Sequence, residues 1–453
     1  MVGIIDIATY VPRGILRLSD IQEALAVGSL NGERSVMNFD EDSTTMSVEA
    51  IRTLPFEKVL QGRSLWFATT SPAYQFKSNS SAIHAACSLK AEVSTFDMGQ
   101  SVRASFGALK AASETLGIAV CADSWTGPPG SDEERIGGDG AGVVCFGIDN
   151  DAIAVVSSWK SHTIELLERW KLSNDLNVQS WDERFVSEAL LPIIQEFTKA
   201  EFGRHQTIVA VSSPNSRICS VVTRDVGVNR VISQADHGYT GSSDLIFKLE
   251  AALENSFSGD NIVLLLVSDG LEMVVLEVTD GIENWKHLQS HRKSKVLEKH
   301  YVRYPDFLTW KGRLERQGPR RPDPIAPAAP PSLRGSRWKF GLNAQKCSVC
   351  GTVHTPPERR CRGCGASDNF ETLNLSKEIG KVVTFTVDRL AFSPAPPMVL
   401  AVVDFTNGAR GSFEFTDVQS SEISIGMNVE MTFRLVNTVT GVRNYFWKVR
   451  PVI

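Results

Sequence analysis

Two short cysteine pairs set the tightest limit on what this chain can fold into. Cys347-x2-Cys350-Gly351 and Cys361-x2-Cys364-Gly365 repeat one unit. In each, two sulfurs can grip one ion, and the following glycine permits the positive φ of a tight knuckle. Four thiolates close a tetrahedral shell with no open position, so the expected metal is a structural zinc at Cys347, Cys350, Cys361 and Cys364, with iron as the alternative. His354 falls in the connecting loop and is not needed as a ligand. Cys87, Cys121, Cys145 and Cys219 lie in apolar or small-residue surroundings without framework spacing, which suits reduced thiols.

At 453 residues, 42% hydrophobic and 22% charged, the chain has room for two to three domains with a sizeable core. A net charge of -5 argues against a nucleic-acid surface, and Arg313, Arg316, Arg320 and Arg321 stand beside prolines, as in a solvated linker. No run of about 18 apolar residues occurs, and Met1 to Asp6 reads as a first strand rather than a signal segment. The expectation is a cytoplasmic protein without a membrane span.

From Met1 to about Asp280, β-rich runs alternate with helical stretches: Gly3 to Tyr10, Ser64 to Thr69, Ala119 to Ala122, Gly142 to Phe146, Ala152 to Ser157, Ile208 to Ser212, Asn261 to Val267 and Glu272 to Val278. That alternation predicts an α/β layered domain with a sheet covered on both faces. Gly137 to Val144 and Asp269 to Val275 each place a glycine turn before β-rich sequence, which hints at an internal duplication. Gly137 to Gly142 lacks the Lys-Ser/Thr ending of a phosphate loop and reads as a strand-connecting turn.

Beyond Trp285 the chain turns basic and then proline-rich through Pro331, predicting an extended tether. Before it, Tyr304, Phe307, Leu308, Trp310 and Leu314 read as one amphipathic helix. After the cysteine module, Gly380 to Arg389, Pro397 to Phe405, Gly411 to Phe415, Asn428 to Leu435 and Asn444 to Val449 read as the strands of a small OB-type barrel.

The stretch Phe96 to Leu109 reads as strand end, tight turn and helix start, a place where backbone N–H groups favour a thiolate or an oxyanion. It resembles the active-cysteine segment of 3-hydroxy-3-methylglutaryl-CoA synthases and related thiolase-fold enzymes. Asp40 to Ala50 resembles the family's Glu-Asp-x-x-x-Met segment, with Ser43 or Thr44 as helix cap, and Tyr239-Thr240-Gly241-Ser242 resembles its Tyr-Thr-Gly-Ser helix start. The likeness covers roughly the first 280 residues and implies a duplicated five-layer thiolase-like fold. Ribbon and barrel together resemble the zinc-ribbon/OB-fold family that travels with thiolases. The expected layout is a thiolase-like domain over 1–284, a linker over 285–337, a zinc ribbon over 338–370 and an OB fold over 371–453.

The resemblance also shows what is missing. Its cysteine falls on Val102, its glutamate on Thr70 and its histidine on Ser212, and none of the three can do the family's condensing chemistry. Ser101 and His237 are the polar residues left near the expected pocket; Ser101 has no evident base beside it, and a structural role fits His237 at least as well. His84 and Cys87 read as core. The implied function is a non-catalytic thiolase-fold subunit of an acyl-CoA assembly that makes or breaks C–C bonds or transfers acyl groups, with a catalytic thiolase-fold partner in a hetero-oligomer. Two alternatives stand beside it: an acyl-CoA condensing enzyme or acyltransferase with unusual residues, and an OB fold that binds single-stranded nucleic acid. The barrel strands show no evident basic residues interleaved with exposed aromatics, which disfavours the last.

Overall fold

A computed structural model describes residues 1–148, 152–172, 175, 177–202, 206–225, 230–232, 237–293, 299–317, 326–391 and 393–452. The chain divides into two compact units, one of residues 1–37, 50–81 and 90–304, the other of 38–49, 82–89 and 305–453.

The first unit is built twice over. Its first half contributes β1 (Gly3–Tyr10), β2 (Ser64–Thr69), β3 (Ser94–Gly99), β4 (Ile118–Ser124) and β5 (Asp139–Gly147); its second half contributes β6 (Ala154–Thr163), β7 (Thr207–Ser212), β8 (Val231–Ile232), β9 (Asn261–Val267) and β10 (Gly270–Val278). The sheet order is β8-β7-β9-β10-β6-β1-β5-β4-β2-β3. Read outward from the centre, both halves run antiparallel, antiparallel, parallel, parallel. The duplication hinted at by two glycine turns is therefore present strand for strand. Among the described residues, β1 and β6 pair at Gly3↔Val155 and Ile4↔Ala154, where the halves meet.

Helix positions follow from which strand residues are apolar on which face. Ile262, Leu264 and Leu266 of β9 share a core with α2 (Ala104–Thr115) and α5 (Asp244–Glu254), while Val263, Leu265 and Val267 pack with α3 (Glu183–Phe202) and α4 (Ser216–Asp225). An all-apolar strand is what a sheet covered on both faces requires. The strand expected from Gly142 starts earlier, so Asp139 to Ala141 of the expected turn are inside β5; a side chain at Gly142 would meet Ile246 of α5 at 2.7 Å, so its glycine serves close helix packing. α6 (Gly281–Lys293) adds Ile282 and Trp285 to the same core.

In the second unit, β11 (Asn343–Cys347), β12 (Val353–His354) and β13 (Phe370–Asn374) form a ribbon in the order β12-β11-β13. β14 (Gly380–Asp388), β15 (Met398–Phe405), β16 (Arg410–Glu414), β17 (Asn428–Val439) and β18 (Val442–Pro451) form a sheet in the order β16-β15-β14-β17-β18. A parallel bridge of Phe415 with Val449 closes it into a barrel around Val403, Phe413, Met431, Phe433 and Trp447.

The expected amphipathic helix is shorter than its pattern. It spans Tyr304–Trp310 and stops before Gly312 at φ +69°, leaving Leu314 exposed. Pro319 to Pro324, with Arg320 and Arg321, lie outside the described residues, as does Asp236 beside His237. The described end of the tether is helical over Ala329–Arg334 rather than extended, because Pro330 and Pro331 occupy first-turn positions where a missing N–H costs nothing. Among the described residues, no helix is long and apolar enough to cross a membrane.

Candidate functional site

The turn between β3 and α2 is the one that the sequence likens to a nucleophile segment. Gln100 takes φ +77°, and Val102, Arg103 and then Ala104 lead straight into the helix. Val102 is buried at 6% exposure and offers only methyl groups. Its polar neighbours are committed elsewhere. Ser101 Oγ donates to the Asp269 carboxylate and accepts from Arg103 N at 3.2 Å. Arg103 donates from Nε to Glu272 Oε1 at 2.8 Å, from Nη1 to Asp269 O at 2.8 Å and from Nη2 to Thr163 Oγ1 at 2.8 Å, and Ser161 Oγ also donates to Glu272. A carboxylate beside the turn opposes the build-up of an oxyanion that such a helix start otherwise favours. Ser101 and Arg103 thus form a half-buried polar clamp between α2 and the β9–β10 hairpin.

Thr70 and Ser212, the other two positions singled out in the sequence, also sit in polar networks. Thr70 N donates to Asp123 Oδ1 at 2.7 Å, and the same oxygen accepts from Thr69 Oγ1 at 2.9 Å and from Ser71 N and Oγ at 3.0 Å each. Asp123 Oδ2 takes Ser242 N at 2.7 Å, so one buried carboxylate ties the end of β2 to the turn that opens α5. Ser212 ends β7 buried beside Asp244; burial raises that carboxyl above its usual range, against the pull of Lys248 and the Ser212 hydroxyl. His237 is held by its backbone, its carbonyl accepting from Ser35 N and Oγ at 3.0 Å each, and its ring lies 4.3 Å from that of Phe247. His84 is half-buried and Cys87 buried.

Sequence reasoning passed over the polar atoms between these anchors. Among the described residues, the Tyr239, Thr240 and Ser242 hydroxyls and the Trp125 indole N–H are buried without a hydrogen-bond partner, and the Trp125 and Tyr239 rings meet edge to face at 5.0 Å. Burial, then Asp244 and Asp123, push the Tyr239 phenol well above its usual range.

In the second unit the four cysteines converge. Their sulfurs lie within 4.8 Å of one another, with Cys347–Cys364 at 3.7 Å and Cys350–Cys361 at 3.5 Å. A tetrahedron of Zn–S bonds has edges of about 3.8 Å, so the set fits zinc. Both knuckles take the same turn: Gly351 N donates to Cys347 O and Gly365 N to Cys361 O at 2.9 Å, with the glycines at φ +76° and +77°. Thr352, through its side chain and backbone, draws the Cys350 thiol down to about 6, and backbone N–H groups of Cys364 and Gly363 lower Cys361. His354 is not a loop residue. It ends β12, is buried, and places Nε2 3.4 Å from Cys361 Sγ.

The barrel holds a second feature with no local signature. Residues 38–49 belong to this unit, and their acids are buried on barrel cations: Lys448 Nζ to Asp40 at 3.0 Å, Arg434 Nη1 to Glu41 at 2.6 Å, Arg450 Nη2 to Glu49 at 3.0 Å. Asp42 accepts from Tyr445 Oη at 2.6 Å and Arg443 Nη1 at 3.0 Å, while Asp417 and Glu414 complete the shells of Arg434 and Lys448. Asp42, rather than Ser43 or Thr44, caps the helix Ser43–Arg52, its Oδ1 accepting from Thr45 N at 2.9 Å.

Comparison with known proteins agrees with this division. Residues 374–434 match the model of the ChsH2 C-terminal OB-fold domain. A DUF35 domain-containing scaffold protein of Methanocaldococcus jannaschii is 32% identical over 126 residues, which are 27% of this chain and 89% of that protein. The chain belongs to the DUF35 domain-containing family. Ahead of its DUF35 domain it carries a further region: the hydroxymethylglutaryl-CoA synthase of Thermococcus sibiricus is 24% identical over 345 residues, covering 69% of this chain and 96% of that enzyme. A crystal structure of HMG-CoA synthase complexed with CoA superimposes with a TM-score of 0.57 at 15% identity, over 68% of this chain and 89% of that one. The first unit of this DUF35 protein thus has an HMG-CoA synthase-like thiolase fold, joined in one chain to an OB-fold domain and a cysteine cluster suited to a metal.

Proposed function

We propose that this chain is a thiolase-fold subunit without condensing chemistry of its own, working beside a catalytic thiolase-fold partner in an assembly that handles acyl-CoA. The observation that carries the reading is the turn at Ser101-Val102-Arg103, where the nucleophile position is a buried valine and both flanking side chains are spent on Asp269 and Glu272. A turn poised for catalysis keeps its nucleophile beside a base; this one keeps only the fold.

Binding is a different matter. The buried polar atoms of Tyr239, Thr240, Ser242 and Trp125 suit the oxygens of an acyl group better than an alkyl chain, which would leave each unpaired at a cost of about 1–3 kcal/mol. The DUF35 relative is called a scaffold protein, and the structurally similar synthase holds CoA. Both names support acyl-CoA handling within a complex. β3 supports assembly: it is the last strand of the sheet, with an outer row of backbone groups free to pair, and Phe96 on it is half-exposed and stacked on Trp66 at 4.7 Å. The cysteine centre is read as one structural zinc held by Cys347, Cys350, Cys361 and Cys364.

A second reading keeps the chain as an enzyme with Ser101 as nucleophile, favoured only by its hydrogen bond to Asp269. Co-expression with a thiolase from the same organism that keeps its catalytic cysteine and histidines, size-exclusion chromatography and an acyl-CoA assay test the proposal. The expected result is co-elution with a changed thiolase activity; a homodimer that leaves the thiolase untouched contradicts it.

A further inference from the structure

His354 has no place in a four-cysteine shell, yet it is built into one. It is 4% exposed, paired with Gln345 of β11 across the ribbon, and its ring stands edge-on to Phe370 with centroids 5.7 Å apart. That packing fixes the direction of the imidazole. Nε2 comes within 3.4 Å of Cys361 Sγ, a sulfur that also takes the Gly363 N–H at 3.3 Å and lies 3.5 Å from Cys350 Sγ. Two donors therefore meet one sulfur. A metal-bound thiolate has no proton to give, so in the loaded centre Nε2 must carry the hydrogen and donate it.

Four thiolates on a divalent ion leave the centre with a net double negative charge, concentrated on sulfur. Each N–H aimed at a sulfur draws off part of that charge, weakening the sulfur as a base and so slowing its protonation and loss from the metal. Cys361 begins the second knuckle and is buried, whereas Cys350 and Cys364 are exposed. We propose that His354 is a positioning residue of the metal centre, an outer donor that holds the Cys361 thiolate on the ion and sets how readily the ion leaves. The proposal rests on the four-cysteine metal reading.

The test uses the full-length zinc-loaded protein and its cobalt-substituted form. His354→Phe keeps a ring against Phe370 and loses the donor; His354→Gln restores an N–H near the sulfur. With His354→Phe, one zinc per chain is still bound, its transfer to EDTA is about tenfold faster, and the sulfur-to-cobalt charge-transfer band moves to lower energy because Cys361 has become more electron-rich. With His354→Gln, both readouts return toward the wild type. Release at the wild-type rate with an unmoved band in the Phe variant overturns the proposal, and so does equal acceleration in both variants, which assigns the effect to packing. A wild-type chain that carries no metal and takes up neither Zn2+ nor Co2+ defeats the underlying metal reading instead, a result seen before any variant is made.

Discussion

The turn at Val102 and the knuckles at Cys347 and Cys361 both set a tight backbone turn, and they hold very different side chains: a buried valine in the first, four converging thiols in the second. In the first unit the chain has a positive φ at Gln100 and a helix start at Ala104, with a buried valine between them whose neighbours are clamped onto Asp269 and Glu272. In the second unit the glycines at +76° and +77° still serve four converging thiols. On the proposed reading, geometry and chemistry are separable. A turn can survive for packing once its reactive group has gone, whereas a metal knuckle without thiolates has little left to fold around.

That contrast ranks the expected effects. Cys361→Ser should be the most damaging change, since metal binding and ribbon folding are coupled by roughly 10 kcal/mol. Metal analysis should show loss of the ion and near-ultraviolet dichroism a disordered ribbon, with the first unit still folded; a ribbon that stays ordered without metal would erase the difference between the two regions. Lys448→Met comes next. It strands Asp40 and Glu414 in the barrel, and breaking one side of a buried ion pair costs about 3–5 kcal/mol. Denaturant unfolding measures it, and adding Asp40→Asn should recover part of the loss, because the two sites are coupled. Arg103→Ala is the mildest of the three, at about 1–3 kcal/mol for partners left half-buried. A loss of that size marks Arg103 as a clamp; no loss at all, read in the same denaturant experiment, removes the structural reason given for its place.

Much of this was legible in the chain itself. β1, β2 and β9 begin and end where the apolar runs do, because a strand buried on both faces has few polar residues to blur its limits. The knuckles were legible because metal spacing is local. What escaped is long-range. Asp40 and Glu41 look like helix-opening acids until Arg434, Lys448 and Arg450 are placed beside them from the far end of the chain. The one available signal was a set of cations inside otherwise apolar strands, which a barrel core tolerates only with partners. His354 escaped similarly: between two cysteine pairs it reads as a loop residue, and only the pairing of Gln345 with His354 turns its ring inward. The glycine at 140 was misread because its reason is a neighbouring helix rather than a turn.

The central claim, that the first unit keeps the thiolase fold without its covalent chemistry, is tested most directly by intact-mass spectrometry of the wild-type chain incubated with acetyl-CoA, followed by peptide mapping. The expected mass is unchanged, because Val102 cannot take the acetyl group and the Ser101 hydroxyl is bound to a carboxylate, with no histidine among its hydrogen-bond partners in the described residues. An acetyl ester on Ser101 that forms and turns over, or a thioester on a cysteine of the first unit, would contradict it.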